Sequence, residues 1–452
     1  MKWTQLLSTQ RFKISNGKVV KVYTDSSREA VNNSRSGFLI DYDRVVFSGS
    51  FRRLGRKTQV HPFSESDYTH NRLTHSVEVA SVGRSIGNQL GLMLMIENEL
   101  PDSIKPMDIG SIVQVACLAH DMGNPPFGHI GEEALRAWFR SSDNARYLLG
   151  MSQQEINDLQ TYEGNAHTVR IVTSLEMYKS SGGMRLTAAS IGSLIKYPWT
   201  SSAPQGRTKF NIYQTELHLM HHVFKELGIE QISDNTWLRH PLSYLMEASD
   251  DICYAILDLE DAVEIGVLTE KDVEKILKPI LHKENITRDR KLTSMQYCRM
   301  LRGKAIGCAI DNVAHTFFKY RQEIMQGDFQ AKDLLSVCRS EVSEAIKNAK
   351  QLARDKIFMH PNKLMTEIAG FPCLGSILSL LIPATYEYVK LQNKQEINSQ
   401  HRLALKLLKE DPILETDSLY TAYMKVLDFV GGLTDNAAAK MAREVSGIGM
   451  IK

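Results

Sequence analysis

The chain has 452 residues, of which 43% are hydrophobic and 23% are charged, a composition typical of globular proteins that excludes a disordered or fibrous one. Its 54 Lys and Arg residues and 52 Asp and Glu residues leave a formal charge of +2, which argues against a broadly basic nucleic-acid-binding protein. The six cysteines are scattered without CxxC pairs, which predicts free thiols in a reducing compartment, and we therefore expect a cytoplasmic protein.

Apolar residues recur mainly at helical spacing along the chain, which predicts an all-α fold. The N-terminus lacks an apolar core long enough for a signal peptide. The apolar stretches at 90–96 and 377–382 are shorter than a membrane span. We therefore expect no membrane partner.

The clearest helix is predicted from His75 onward, because Val79, Val82, Ile86 and Leu90 recur three or four positions apart. His75 lies on the same apolar stripe. Its imidazole is therefore predicted to point into the core.

A second helix is predicted at about 108–121, with His120 on its apolar stripe and Asp121 next to it. Pro125 and Pro126 follow and cannot continue a helix. For a His-Asp pair alone, a structural hydrogen bond is the ordinary interpretation, since buried charges are usually paired.

A third helix is predicted after Pro241. On it Asp250, Tyr254 and Asp258 are four residues apart, and Glu247 extends the same polar face. Carboxylates therefore line one side of this helix.

These three helices can supply one metal site. His75, His120, Asp121 and Asp250 offer two imidazoles and two carboxylates. Mixed nitrogen and oxygen ligands suit Mn²⁺, Fe²⁺, Co²⁺ or Ni²⁺, and Mg²⁺ could substitute. The spacing therefore indicates a divalent cation as cofactor, without fixing which one.

Six short segments resemble, in order, those of the deoxyguanosinetriphosphate triphosphohydrolase family of HD-domain metallophosphohydrolases. They are FRRLGRKTQV at 51–60, RLTHS at 72–76, AHDMGNPPFGH at 119–129, EGNA at 163–166, KYP at 196–198 and EASDDI at 247–252. A weaker match, DFVGGLTD, occurs at 428–435, whereas 263–420 carries no recognisable motif.

The resemblance implies an HD-domain helical fold with additional C-terminal helices. We expect an N-terminal segment at 1–60 that contributes to the nucleotide site and to subunit contacts, a catalytic domain at 61–265 and a C-terminal helical region at 266–452. The implied reaction is metal-dependent hydrolysis of a deoxynucleoside triphosphate (dNTP) to the deoxynucleoside and inorganic triphosphate. We expect dGTP first among the substrates, with the base preference left open.

The resemblance also assigns roles to individual residues. It implies a metal set of His75, His120, Asp121 and Asp250. Asp250 is preferred to its neighbour Asp251 because only Asp250 is followed by a tyrosine and an aspartate four and eight positions later. For Asp251 the alternative is a solvated or salt-bridged position on the flank of the helix.

His129 resembles the catalytic histidine of the family, and Glu132, three residues later, resembles the glutamate that orients it. For Glu132 the alternative is a carboxylate that favours the first turn of a helix. The remaining substrate-binding residues implied by the resemblance are Gln59, Arg72, Asn124, Asn165, Lys196, Tyr197, Tyr254 and Asp258.

A basic cluster of Arg52, Arg53, Arg56 and Lys57 precedes Gln59. We prefer contact with nucleotide or with a neighbouring subunit for it, and solvent is the alternative. Gln59 is expected to contact the sugar, while Tyr254 packed under the sugar would exclude a 2′-hydroxyl.

The resemblance further implies a homo-oligomer, a hexamer in many members, and an allosteric nucleotide or single-stranded DNA as an additional partner. Two other functions remain open from sequence. One is another HD phosphohydrolase that acts on a phosphomonoester, a cyclic dinucleotide or an alarmone. The other is a non-catalytic oligomeric regulator that binds nucleotide or single-stranded DNA.

Overall fold

The computed structural model describes residues 1–22, 35–58, 70–203, 208–281, 286–357, 361–391 and 396–447. Its helices are α1 (Trp3–Leu6), α2 (Gly37–Val46), α3 (Gly49–Arg53), α4 (Arg72–Ile96), α5 (Pro106–Ala119), α6 (His129–Arg140), α7 (Gln153–Gln160), α8 (Gly164–Arg170), α9 (Ala188–Leu194), α10 (Gln214–Leu227), α11 (Ser243–Glu264), α12 (Glu270–Leu277), α13 (Ser294–Gln326), α14 (Ser340–Leu352), α15 (Pro361–Lys390), α16 (Ser399–Leu405), α17 (Leu419–Gly432) and α18 (Asp435–Val445). Its strands form two small antiparallel sheets, β1 (Arg11–Ser15) with β2 (Lys18–Val22) and β3 (Gln231–Ser233) with β4 (Thr236–Trp237). The predicted all-α class is confirmed.

The first hairpin is a feature that helical periodicity did not predict. Asn16 and Gly17, between β1 and β2, both have positive φ angles, of 51° and 71°. An Asn-Gly pair of this kind makes the two-residue turn that joins antiparallel strands.

The starts of the helices follow local sequence signals. The Asn71 side chain accepts the backbone N–H groups of Leu73 and Thr74, and Thr74 returns a hydrogen bond to the backbone of Asn71, so α4 begins just before His75. Pro106 occupies the first turn of α5, where its missing N–H costs nothing.

The end of α5 differs from the prediction by two residues. The helix stops at Ala119, so His120 and Asp121 lie in the turn that follows it. The chain then runs through Pro125 and Pro126 to α6. His120 and Asp121 therefore lie in the turn directly after a buried helix.

Helices α4 and α5 contact each other along glycines. A Cβ atom on Gly87 would lie 2.7 Å from the Cα of Gly110, and one on Gly91 would lie 2.2 Å from the carbonyl oxygen of Pro106. One on Gly83 would lie 2.6 Å from Sγ of Cys117. The helices therefore run antiparallel in close contact, which places the start of α4 beside the end of α5.

Two clusters of buried apolar side chains form the core. The first is built mainly from α1–α5 and α9–α14, and the second from α6, α7 and α15–α18. Helix α8 joins them, because Val169 packs in the first cluster and Ala166 in the second. The region after residue 266 thus contributes to both clusters. The boundaries expected near 60 and 265 stay predictions.

Helix α15 is longer and more apolar than the short stretch at 377–382 suggested. Its segment Glu367–Lys390 is long and apolar enough to cross a membrane by length and composition alone. Core helices of globular proteins pass the same test. In this chain Leu374, Ile377, Leu378 and Leu381 are fully buried in the second cluster.

A buried ion network fastens the two clusters together. Arg170, at the end of α8, donates to Asp428 of α17 from Nε (2.7 Å to Oδ1) and from Nη2 (2.8 Å to Oδ2). Its Nη1 donates to Glu216 of α10 at 2.9 Å. All three side chains are at most one-tenth exposed.

Replacing Arg170 with Met should destabilise the fold strongly. The change leaves two buried carboxylates without their cation, and such losses typically cost about 3–5 kcal/mol. Thermal unfolding followed by circular dichroism measures the effect. Lys440→Met, which removes the exposed pair of Lys440 with Glu444, is the control and should leave the midpoint almost unchanged. Equal midpoints for the two variants would contradict this reading of the network.

Candidate active site

Three side chains from three parts of the fold converge at one point. His75 of α4, His120 after α5 and Asp250 of α11 each present one ligand atom, and these atoms all lie within 4.8 Å of one another. Oδ1 of Asp250 is 3.0 Å from Nε2 of His75 and 3.5 Å from Nε2 of His120. Two imidazole nitrogens and a carboxylate oxygen around one point fit a divalent metal ion.

The orientation of His120 is fixed by its backbone surroundings. Its Nδ1 is 2.6 Å from the carbonyl oxygen of Cys117, which can only accept a hydrogen bond, so Nδ1 carries the proton. Nε2 is then left for a ligand, the arrangement usual for metal-binding histidines. Burial disfavours the charged imidazole, but Asp121 and Asp250 together raise the pKa of His120 to about 9.

The fourth predicted ligand, Asp121, lies beside the trio formed by His75, His120 and Asp250. Its Oδ1 is 3.6 Å from Nε2 of His120. Nη1 of Arg72 donates to its Oδ2 at 2.6 Å, and the Asn124 side chain donates to Oδ1. Burial works against the charge, but Arg72, His120 and His75 lower the pKa of Asp121 to about 2, so the carboxylate is ionised.

The structure separates Asp250 from Asp251. Asp250 faces the two histidines, whereas Oδ1 of Asp251 is 2.6 Å from Nζ of Lys350 on α14. Asp251 is thus the salt-bridged neighbour that the sequence allowed as the alternative. Asp250 as a metal ligand stays a prediction that this geometry supports.

His129 and Glu132 form a pair at the start of α6. Nδ1 of His129 is 3.2 Å from Oε2 of Glu132, and 77% of the His129 side chain is exposed. Glu132 is buried, and its Oε1 accepts the backbone N–H of Gly164 at 2.7 Å. Burial favours the neutral acid, but His129, Arg136 and that backbone N–H give Glu132 a lowered pKa. An ionised glutamate therefore holds an accessible imidazole.

Asn165 lies on the turn that supports this pair. Its side-chain Nδ2 is 2.5 Å from Oε1 of Glu163, the residue that caps α8. The next backbone N–H, that of Gly164, is the one bound by Glu132. Asn165 therefore adjoins Gly164, the residue that holds Glu132, and lies near the predicted catalytic pair.

Lys196 and Tyr197 lie on the Glu247 side of α11. Nζ of Lys196 is 2.9 Å from Oε1 of Glu247, and Arg239 donates to the other oxygen of Glu247 at 2.7 Å. Burial opposes the charge, but Glu247 raises the pKa of Lys196 above its ordinary value. The Tyr197 ring lies 5.4 Å from Nζ of Lys196. The structure thus gives Lys196 an acidic partner that the sequence prediction did not include.

Tyr254 and Asp258 follow Asp250 on α11, as predicted. Burial first, and then the nearby Asp258 and Asp250, raise the pKa of Tyr254, while the charge of Arg354 lowers it. Arg354 belongs to the π-helical turn after α14. Asp258 is buried. The unmatched C-terminal region therefore reaches this wall of the site, through Arg354 and through Lys350, and no sequence motif indicated either residue.

Gln59, the expected sugar contact, lies outside the described residues. The basic cluster before it does not act as one surface. Arg52 and Arg53 are exposed, but Lys57 is buried, with Nζ donating to the carbonyl oxygens of Asn124 (2.6 Å) and Gly431 (2.7 Å). The prediction of nucleotide, subunit or solvent contact is wrong for Lys57, because backbone carbonyls enclose its ammonium group.

Comparisons with known proteins agree with this geometry. The HD domain family model matches residues 72–188. The chain is 41% identical over 455 residues to the deoxyguanosinetriphosphate triphosphohydrolase-like protein of Pseudomonas aeruginosa, and the match covers 99% of each chain. The chain belongs to the deoxyguanosinetriphosphate triphosphohydrolase family. A triphosphohydrolase-like protein of Synechocystis is 34% identical over the full length of both chains, and the deoxyguanosinetriphosphate triphosphohydrolase of Klebsiella pneumoniae is 27% identical over 88% of this chain and 91% of its own.

The family match extends beyond the HD domain. The domain model ends at residue 188, before α11 and Asp250, whereas the relatives align along nearly the whole chain. The trio of this triphosphohydrolase-family chain is therefore completed by a helix outside the matched HD segment.

A further histidine, His70, bridges helices α4 and α11. Nδ1 of His70 is 2.7 Å from Oδ1 of Asp261 on α11, and its Nε2 is 3.2 Å from Oε1 of Glu78 on α4. The hydrogen bond to Asp261, and then that to Glu78, raise the pKa of His70 to about 10. Sequence reasoning missed this bridge because its partners lie 8 and 191 residues away.

Metal binding should depend on Asp250 and not on Asp251. We expect Asp250→Asn to weaken Mn²⁺ binding by more than about 100-fold, because even outer contacts of metal ligands typically contribute 10–100-fold. Asp251→Asn is the matched control and should bind Mn²⁺ almost as the parent does. Isothermal titration calorimetry measures both affinities, and equal losses in the two variants would show that the wrong carboxylate was assigned.

The His70 bridge should make stability fall at alkaline pH. The folded pKa of His70 is about 10, above the ordinary value of 6.5, so the bridge stabilises the fold fully below about pH 6.5 and this contribution is lost as pH rises towards 10. His120 adds a slope of the same sign in metal-free protein. His70→Gln should therefore flatten part of the decline. Unfolding midpoints of both proteins across this range provide the test, and parallel curves would rule out a charged bridge.

Proposed function

We propose that this protein hydrolyses deoxynucleoside triphosphates to the deoxynucleoside and inorganic triphosphate, with dGTP the first substrate to test. The observation that carries the proposal is the convergence of His75, His120 and Asp250 next to the His129–Glu132 pair, in a chain whose relatives of 27–41% identity are named for this reaction. The Klebsiella pneumoniae relative is named as a deoxyguanosinetriphosphate triphosphohydrolase, and the relatives of Pseudomonas aeruginosa and Synechocystis are named as proteins like it. For this chain, the names of the relatives decide only which substrate is tested first.

The trio, with Asp121 at its edge, would hold a divalent ion, for which Mn²⁺ or Mg²⁺ is proposed and Fe²⁺, Co²⁺ or Ni²⁺ would also suit the ligands. When bound, such an ion polarises a phosphoryl oxygen and neutralises charge that develops during hydrolysis. This use of the three ligand atoms accounts for two histidines and an aspartate packed against one another in the core.

His129 is proposed to exchange the proton in the reaction. Water attacks the α-phosphorus, the bond between that phosphorus and O5′ of the deoxynucleoside breaks, and O5′ takes up a proton. Nδ1 of His129 is bound by Glu132, so the exposed Nε2 is the nitrogen that can deliver the proton. Glu132, whose Oε1 accepts the backbone N–H of Gly164, keeps the imidazole oriented.

Cationic and amide groups beside the trio are proposed to hold the triphosphate. Arg72 and Asn124 both contact Asp121, and they lie on the side of the trio that leads to His129. Lys196, Tyr197 and Asn165 are proposed to act with them. Because Lys196 is paired with Glu247, a phosphate must compete with that carboxylate for it. Tyr254 and Asp258 on α11 are proposed to contact the sugar together with Gln59.

The finer assignments of partners are proposals of the same kind. We propose a cytoplasmic enzyme that assembles as a homo-oligomer, by the family resemblance a hexamer, with an allosteric nucleotide or single-stranded DNA as a further partner. Size-exclusion chromatography with light scattering, in the presence and absence of nucleotide, tests the assembly.

The reaction products test the proposed function. Purified protein is incubated with each dNTP and each NTP in the presence of Mn²⁺ or Mg²⁺, and the products are separated by ion-exchange chromatography. Deoxynucleoside with intact triphosphate is the expected result, with dNTPs cleaved faster than NTPs. Inorganic phosphate with a nucleoside diphosphate would point to another HD phosphohydrolase, and the absence of turnover with any metal would point to a binding protein.

His129→Ala should abolish turnover while metal and nucleotide binding persist. General acid–base groups typically contribute about 10²–10⁴-fold to rate, so a loss of at least about 100-fold in kcat is expected. Nucleotide binding is measured by calorimetry with Ca²⁺ in place of the activating metal. His218→Ala, an exposed change on α10, is the control. Turnover that survives the His129 change would assign the proton to another group.

A further inference from the structure

The turn that leads to His129 has an unfavourable backbone. Phe127 has a φ of 66° and Gly128 a φ of 60°. A left-handed conformation suits glycine but is rare for an aromatic residue, and it persists only where the surroundings enforce it. A Cβ at Gly128 would also lie 2.7 Å from Nη2 of Arg72, whose guanidinium group is hydrogen-bonded to Asp121. The position of His129 therefore depends on what holds Phe127.

Asp435 is the residue that holds it. Oδ1 of Asp435 accepts the backbone N–H of Phe127 at 3.0 Å, and Oδ2 accepts the backbone N–H of Thr58 at 2.9 Å. Asp435 is only 4% exposed and begins α18, where the helix dipole favours its negative charge. A single buried carboxylate thus joins the turn before His129 to the strand-like segment directly before Gln59.

Lys57 makes a second connection among the same three segments, which are residues 57–58, the turn at 124–127 and the end of α17 with the start of α18. Nζ of Lys57 donates to the carbonyl oxygens of Asn124 and of Gly431, which lies four residues before Asp435. The carbonyl oxygen of Lys57 accepts the backbone N–H of Arg72 at 3.1 Å, at the start of α4. The junction between α17 and α18 is therefore bonded to the segment at 57–58 and to the turn at 124–127 by two independent side chains.

We propose that Asp435 is a positioning residue for hydrolysis, which sets the turn at Phe127 and Gly128 and through it the place of His129. The inference rests on the proposed function for its activity readout. Asp435 touches neither the trio nor His129, so its effect is on geometry. Misplacement of a reacting group by about 1 Å can cost on the order of 100-fold in rate.

The variant to examine is Asp435→Asn, which is isosteric but offers one acceptor oxygen for two N–H groups. Thr434→Ala is the matched control, because the Thr434 side chain caps the same helix at the backbone N–H of Ala437 and contacts neither Phe127 nor Thr58. Both changes should lower the unfolding midpoint. Only Asp435→Asn should lower kcat, by about tenfold or more at a temperature where both variants are folded.

Two further measurements separate positioning from general destabilisation. Mn²⁺ affinity should be unchanged in Asp435→Asn, because the trio is untouched, while the limb of the pH–rate profile that reports the catalytic acid should shift. Hydrogen exchange of peptides spanning 122–130 should accelerate in Asp435→Asn and stay slow in Thr434→Ala.

The outcomes distinguish this inference from the proposed function. Failure of the parent protein to release triphosphate would overturn the proposed function, and the exchange experiment would still decide whether Asp435 holds the turn. An active parent with an Asp435→Asn variant whose kcat lies within twofold of it would overturn the positioning role. Equal exchange at 122–130 in both variants would also overturn it.

Discussion

The close contact between α4 and α5 is the constraint on which the site depends. Gly87 meets Gly110 and Gly91 meets the backbone at Pro106, so the helices approach at a distance that side chains would prevent. Because the helices are antiparallel, this contact places His75, near the start of α4, beside His120, just after the end of α5. Helix α11 then needs to supply only one carboxylate, that of Asp250, to complete the trio.

The site places the carboxylates of Asp121 and Asp250 in the interior, and neighbouring cationic groups stabilise their charges. Ionised aspartates are costly to bury unless they are paired. Arg72, and then the imidazoles of His120 and His75, keep Asp121 ionised, whereas the two imidazoles alone do so for Asp250. Arg72 adds a cation on the side that leads to His129. Acidic and basic groups are therefore within a few ångströms of each other at this site, a local arrangement that the net charge of the chain does not reveal.

Sequence was informative where one periodicity or one motif determined a position. The apolar stripe of α4 predicted that His75 points inward, and His75 is buried. The spacing along α11 favoured Asp250 over Asp251 as the metal ligand, and in the structure Asp251 is paired with Lys350. Helical periodicity could not predict the hairpin at Asn16 and Gly17, whose signal is a turn dipeptide.

Contacts between distant segments were beyond sequence reasoning for a different reason. Lys57 belonged to a run of basic residues that looked solvent-facing or ligand-facing, and only the fold brings the carbonyl oxygens of Asn124 and Gly431 around it. The bridges of His70 and Asp435 likewise join residues far apart in the chain. Neither their residue types nor their spacing indicates such partners.

The C-terminal half of the chain is part of the active-site wall in physical terms, although 263–420 carries no motif. Lys350 neutralises Asp251 beside the trio, and the charge of Arg354 acts on Tyr254. Asp435 fixes the backbone before His129. A left-handed turn at an aromatic residue persists only where its surroundings enforce it, and the acceptor for the Phe127 N–H comes from α18, outside the segment that the HD domain model matches, so the proposed acid is positioned in part by a helix beyond that segment.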